Sequence, residues 1–476
     1  MEHFRSSCTS ILIGKAASAD GSVIIGRNED SRSSWPKTAV VHPAAHHDEA
    51  PMFKSKDTEV EFALPKDSLQ YTATPEWTDK YGLFEEDGIN SAGVAMSATE
   101  SAYANARVQG FDPFVEHGII EECMITVVLP YVKSAREGVR RLGQLIETHG
   151  TGEANGILFA DHDEAWYMEV VSGHHWLAQR IPDDGYAVVA NQLSIEAVDF
   201  DSPDFIVDAG LRTFAEENHL WRPGTPFSIR RIFGTDDPSD RIYNTPRVWD
   251  GHQLLSKQTA AAETPIDSDL PFIMRPDRPL QVEDAMRFLS RHYQDTPYDP
   301  AGRMPDAKLS HSFRPISVTA TQESHVLQLR PNLPAAIANI HWLAMGVPSQ
   351  SQYVPFFAGL TDTPANYKVG ALPASLDSAY WQYKLTSVLV DAHPLRFDNL
   401  LGNTQDDVHA KLVALVAATD AKARTLTAAD DLAQLATKAT FSAAKTADEA
   451  WNKLRMKILE QSTALGKLTF KMDPNL

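Results

Sequence analysis

Polar and apolar positions alternate along this chain in two distinct rhythms, and the switch between them marks out its organisation. Near the N-terminus an apolar run, Ile11-Leu12-Ile13, follows Cys8-Thr9-Ser10. A second run, Val23-Ile24-Ile25, precedes Gly26-Arg27-Asn28-Glu29-Asp30. With Asp20-Gly21 between them, the two runs predict a β-hairpin. Val94–Ala98 reads as a buried strand after an Asn90–Gly93 turn. Ile125–Leu129 is a short apolar run closed by Pro130. Ser134, with Glu137 three residues on, has the form of a capping box. Val139, Leu142, Leu145 and Ile146 then keep the 3–4 spacing of an amphipathic helix until Gly150.

Strands are predicted at Gly156–Ala160, Ala165–Val171 and His175–Ile181, then at Tyr186–Ala190, which ends in Asn191. Residues 196–240 are loop- and proline-rich, with a helix predicted over Ala209–Asn218 as cover for a pocket. Ser317–Arg330 alternates as a half-buried strand, with Ile340–Gly346 and Tyr353–Phe357 as partners. From Asp406 the pattern is helical, with stripes at Val408, Leu412, Leu415, Val416 and at Trp451, Leu454, Ile458, Leu465. This tail carries no chemical motif and reads as packing, between subunits of a homo-oligomer.

Composition narrows the function classes. Across 476 residues, 43 basic and 63 acidic side chains leave a net charge of −20, which argues against nucleic acid or an anionic membrane as partner. Two cysteines form no disulfide framework and fit a reducing, cytoplasmic setting. The opening Met1–Ser7 is too short and polar for a signal peptide, and no segment approaches the ~20 apolar residues of a membrane span. The pairs His46-His47 and His174-His175 lack a third nearby ligand and read as turn residues, so no metal is assigned.

Cys8 is the candidate nucleophile. A cysteine attacks as thiolate, and so needs a base or a positive neighbour. Near a chain end the nearest base is its own α-amine, free only if residues 1–7 are removed. The hairpin would bring Arg27 beside the thiolate and Asp30 beside the amine. Cys123 has no basic or histidine partner in sequence and reads as buried. His325 and His341 could make a Cys-His pair with Cys8, but both fit better as strand residues.

Cys8-Thr9-Ser10-Ile11 opening a strand, with Gly26-Arg27-Asn28-Glu29-Asp30 ending its partner, resembles the cysteine-type N-terminal-nucleophile (Ntn) hydrolases, including bile salt hydrolases and penicillin V acylases. The longer form, with Gly14-Lys15 and Ala19-Asp20-Gly21-Ser22, is more similar to the dipeptidase A family of lactic acid bacteria and the secernins. Residues 314–359 follow that branch too. The resemblance spans residues 8 to about 465.

It implies an α/β (α+β) fold, a four-layer αββα sandwich of mainly antiparallel sheets with a helical C-terminal extension. Residues 1–7 would be a propeptide, 8–400 the catalytic domain and 401–476 the extension. The activity implied is hydrolysis of dipeptide amide bonds, with small peptides as substrates and no metal or organic cofactor. Asn191 corresponds to an oxyanion-hole asparagine, although locally it is also a strand-ending turn residue. Arg247 matches a downstream arginine that holds the nucleophile's pocket, and fits a surface ion pair equally. Where bile salt hydrolases have an asparagine, this chain has Thr99-Glu100; a backbone N–H at Ala98 or Thr99 could serve as the second oxyanion donor. Acylase action on a non-peptide amide, or a non-hydrolytic secernin-like interaction role, are the alternatives.

Overall fold

A computed structural model describes residues 8–302 and 308–466; the expected propeptide, residues 1–7, lies outside them. The chain is mixed α+β. Its predicted hairpin forms: Thr9–Ile13 and Val23–Asp30 pair antiparallel, with Ser10 opposite Arg27. The second strand runs through Arg27-Asn28-Glu29 to Asp30, so the polar motif is the strand's own end.

This hairpin is central to a seven-stranded antiparallel sheet. In spatial order the strands are Ile273–Met274, Tyr186–Val189, Thr9–Ile13, Val23–Asp30, Thr321–Leu329, Asn339–Met345 and Val354–Phe357. The three segments that the alternation singled out near the C-terminal half thus extend the sheet that begins just after Cys8. A six-stranded antiparallel sheet runs Phe205–Val207, Trp176–Ile181, Ala165–Val170, Asn155–Ala160, Ala95–Ser101, Asp87–Ile89.

Strand periodicity divides the core. Leu12, Val23, Ile25 and Leu327 share an apolar cluster with Leu158, Tyr167 and Leu177 of the other sheet. Ile11, Ile13 and Ile24 point the opposite way, into a cluster with Val248, Phe288 and Leu289 of helices Thr245–Leu255 and Val282–Leu289. Cys8, Ser10 and Leu12 therefore belong to the face that meets the six-stranded sheet, as do Ile25 and Arg27.

Helix Ala135–His149 forms as the capping pattern predicts. The Ser134 hydroxyl accepts the Glu137 N–H at 3.2 Å, and Gly150 ends the helix at φ +72°. Glu137 returns its side chain to the Lys133 N–H, one residue earlier than a strict capping box requires. The apolar run before Pro130 lies largely in a helix, Glu121–Val128. Three long helices, Ala379–Asp391, Pro394–Ala423 and Ala429–Ser462, close the chain. Their Tyr383, Leu412, Trp451 and Ile458 pack against Leu343, Val354 and Phe356 of the seven-stranded sheet. Among the described residues, no helix is long and apolar enough to cross a membrane.

Candidate active site

Cys8 sits immediately before the first strand and is buried. Arg27 comes from the adjacent strand on the same face, and its Nη1 lies 3.1 Å from Cys8 Sγ. The guanidinium is fully buried and its donors all find acceptors. Nε donates to Ser97 Oγ at 3.0 Å, Nη1 to the Thr99 carbonyl at 2.8 Å, and Nη2 to the Ala98 carbonyl at 2.9 Å and to the Glu86 carboxylate. Burial alone would lower the pKa of Arg27; the facing Cys8, Glu86, Glu121 and Glu29 outweigh that and hold it charged.

Burial pushes the Cys8 thiol well above its ordinary value. Arg27 opposes the shift, while Glu100, Glu121 and Asp30 add to it. One guanidinium does not by itself ionise this thiol, so its chemistry needs a base to take the proton.

A second arginine reaches Cys8 from the helical side. Arg247, on helix Thr245–Leu255, donates to the Cys8 carbonyl and, at 2.8 Å, to Thr9 Oγ1. It also donates to Asn191 Oδ1 at 2.7 Å and to Asn244 Oδ1 at 2.8 Å. This is a buried scaffold, and the surface ion pair that fitted its sequence equally is not formed. Asn191, at the end of the neighbouring strand, donates one Nδ2 hydrogen to the Ser101 carbonyl at 2.9 Å. That bond uses one of the two hydrogens of the amide.

Asp30 ends its strand paired with Arg314 and hydrogen-bonded by Thr321 Oγ1. Arg314 precedes the strand Thr321–Leu329 and carries no local signature, so the sequence did not single it out. The backbone donors considered at Ala98 and Thr99 are both occupied. Ala98 N–H donates to the Glu86 carbonyl at 2.8 Å and Thr99 N–H to Glu121 Oε1 at 3.0 Å.

His325 and His341 lie on paired strands, as expected. His325 Nε2 is 2.9 Å from Ser97 Oγ, which also accepts from Arg27 Nε, the arginine that meets Cys8. The other imidazole nitrogen of His325 faces Glu323 at 3.0 Å and Asp87 at 3.2 Å, and His341 Nε2 is 2.9 Å from Asp87. Asp87, Glu323 and His325 converge closely enough to share an ion. Burial would raise the Asp87 carboxyl, yet the two imidazoles outweigh it and hold it well below the usual range. These residues form a buried cluster of two carboxylates and two imidazoles in mutual contact.

The sequence profile of Peptidase family C69 matches residues 7–407. The chain belongs to peptidase family C69. Its curated relatives include a probable dipeptidase of Latilactobacillus sakei, 41% identical over 99% of this chain and 98% of that protein. A dipeptidase of Bifidobacterium longum is 40% identical over 92% of this chain and 87% of its own length. Dipeptidase A of Lactobacillus helveticus is 39% identical over 82% of this chain and 83% of its own length.

A cavity of about 1420 Å³ in this C69 peptidase is lined by Ser290, Ser317, Gln405 and His409 among others, and Cys8 is not in its lining. Cys8 instead lies at the strand ends where Arg27, Asn191 and Arg247 meet. Glu86, Ser97 and Glu121, all in contact with Arg27, were not legible as site residues. Each is a common polar residue in a segment that reads as turn, core strand or an undistinguished stretch.

Proposed function

We propose that this C69 peptidase is a dipeptidase in which Cys8 is an N-terminal nucleophile and forms a thioester acyl-enzyme. The observation that carries this is the placement of Arg27 Nη1 3.1 Å from Cys8 Sγ at the head of a strand. Near-full-length similarity to named dipeptidases supports the substrate class.

Removal of residues 1–7 exposes the α-amine of Cys8. The amine takes the thiol proton, the thiolate attacks the peptide carbonyl, and Arg27 supplies the counter-charge. Asn191, oriented by Arg247, donates to the oxyanion. The amine returns the proton to the leaving amino group, and water then hydrolyses the thioester by the same path. Asp30, held by Arg314 and Thr321, steadies the ammonium form. No metal or organic cofactor takes part.

In this reading the two sheets and their helices form the αββα layering of the Ntn hydrolases. Residues 8–400 are the catalytic domain and 401–476 its helical extension, although position 400/401 falls inside the helix Pro394–Ala423. Exposed Val413, Phe441, Met456 and Leu459 on the last two helices support a homo-oligomer. The composition supports a cytoplasmic location and small peptides as partners.

The test is hydrolysis of a dipeptide panel by wild type, Cys8→Ala and Cys123→Ala. Cys123 is buried, with its thiol pushed up by burial first and then by Glu122. Wild type and Cys123→Ala should release amino acids while Cys8→Ala does not. Equal losses in the two variants would refute Cys8 as the nucleophile, and amide hydrolysis confined to acylated amines would refute the substrate class.

A further inference from the structure

Glu121 opens the helix Glu121–Val128. Its Oε1 accepts the Thr99 N–H at 3.0 Å and lies 3.7 Å from Arg27 Nη1, the same nitrogen that is 3.1 Å from Cys8 Sγ. Sγ and Oε1 are thus no farther apart than those last two distances laid end to end. Of the acids gathered round Cys8 and Arg27, Glu100 and Asp30 have no exposed side-chain surface, Glu86 has 2% and Glu29 7%; Glu121 keeps 16%. It is the most exposed carboxylate of the group.

We propose that Glu121 is the subsite for the α-ammonium of the substrate's amino-terminal residue, so that the site takes peptides with a free amino terminus. This rests on the dipeptidase reading. The fit is one of reach and of charge. In a peptide cleaved after its first residue, the α-nitrogen is about 2.5 Å from the scissile carbonyl carbon. A nucleophile waits about 3–3.5 Å from that carbon, and an ammonium–carboxylate hydrogen bond spans about 2.8 Å. Laid along a bent path, those steps cover the gap between Sγ and Oε1.

The charge balance points the same way. Burial, Glu86 and Glu153 push the Glu121 carboxyl up, and Arg27, already committed to Glu86 and two carbonyls, compensates only in part. Glu153 is itself engaged by the Glu121 N–H and by Asn155. An arriving ammonium supplies the missing counter-charge. An acylated nitrogen brings none, and its acyl group would desolvate the carboxylate further with only the Thr99 N–H and the shared Arg27 to offset the charge.

The test compares Ala-Leu with N-acetyl-Ala-Leu on wild type and Glu121→Gln, a substitution that keeps the acceptor for Thr99. Wild type should prefer the free dipeptide by at least about 100-fold in kcat/KM. Glu121→Gln should lower kcat/KM for Ala-Leu by about the same factor, mainly through KM, and leave the acetylated substrate within a few-fold. Loss by one common factor for both substrates would overturn the subsite and place Glu121 in support of Arg27 or of the enzyme's own amine.

Binding is read separately by calorimetry on Cys8→Ala protein lacking residues 1–7. Ala-Leu should bind at least ten-fold tighter than its acetylated form, a difference that Glu121→Gln abolishes. That difference without any wild-type turnover would sink the dipeptidase reading and leave the subsite standing. Equal binding of the two ligands would sink the subsite, whatever the turnover.

Discussion

Arg247 Nη2 donates to Asn191 Oδ1 at 2.7 Å, which fixes the side-chain amide with its nitrogen turned to the Ser101 carbonyl. The same guanidinium holds the Cys8 carbonyl, so Cys8 and the Asn191 amide share one buried anchor. Asn191→Ala should therefore lower kcat by about 10²–10³ with a much smaller change in KM, since the donor acts on charge that develops during attack. Steady-state kinetics with a thermal melt checks it. A fall below five-fold in a folded variant would reduce Asn191 to a strand-ending turn residue.

Arg27 serves one sulfur and several oxygens with its fixed fork of donors. Lysine keeps the charge but cannot reproduce that geometry. Arg27→Lys should cost more than an order of magnitude in turnover while the protein stays folded. Asp30→Asn should do the same, because it leaves Arg314 without its carboxylate and removes the charge that steadies the ammonium form in the proposed mechanism. Near-wild-type rates in both variants would make the strand-end motif purely structural.

Activity should survive a strong chelator. The chemistry proposed for Cys8 runs on sulfur, nitrogen and guanidinium, and His325 Nδ1 already meets the carboxylates of Asp87 and Glu323. Loss of activity on chelation, restored by a divalent cation, would assign that cluster to a metal instead.

Glu100 yields a pH prediction. Its carboxylate is buried and accepts the Ser10 hydroxyl at 2.5 Å, while its second oxygen has no hydrogen-bond partner among the described residues. Burial pushes its pKa up to about 7, against the pull of Arg247, Ser10 and Arg27. Between the ordinary value of 4.5 and about 7 the folded state holds a proton that the unfolded state has released. This group's contribution therefore favours folding at low pH and is lost as pH rises through that window. Glu100→Gln removes the loss, so its stability relative to wild type should rise by up to about 3 kcal/mol between pH 4.5 and 7.5. Urea unfolding at both pH values reads it; a gap that does not change with pH refutes the assignment.

What could be read in advance follows from the range of each interaction. Cys8 and Arg27 meet across a hairpin only 19 residues apart, and turn chemistry plus strand pairing are local signals. The long strands of both sheets are legible for the same reason, since alternation is written within each. Asn191 and Arg247 needed the family resemblance, because a strand-ending asparagine and a helical arginine have commonplace local explanations. Arg314 reaches Asp30 across 284 residues, and nothing around it in sequence announces the pairing. Glu121 was hidden by its helix. A short apolar run before a proline does not distinguish a buried helix from a strand, so the acid at its first turn had no assigned position. Ser97, in a strand of small residues, becomes a site residue only once the second sheet lies against Arg27.

In the proposed mechanism the α-amine of Cys8 is the base. Burial pushes the Cys8 thiol up despite Arg27, and the imidazole of His325 is engaged by Ser97 and Glu323. If the α-amine is the base, residues 1–7 have only to be absent. A chain encoding Met directly before Cys8 should be active, because aminopeptidase removes Met ahead of a small residue. A chain with an uncleavable extension there, for instance with Ser7→Pro, should fold and stay inactive, since a peptide nitrogen is not basic. The amine must be neutral to accept the thiol proton, so kcat/KM of the active form should rise with pH through a group somewhat below the free α-amine value of about 8. Intact mass identifies which chains begin at Cys8. Full activity in a chain whose mass retains the extension would exclude the amine as base and bring His325, working through Ser97, into its place.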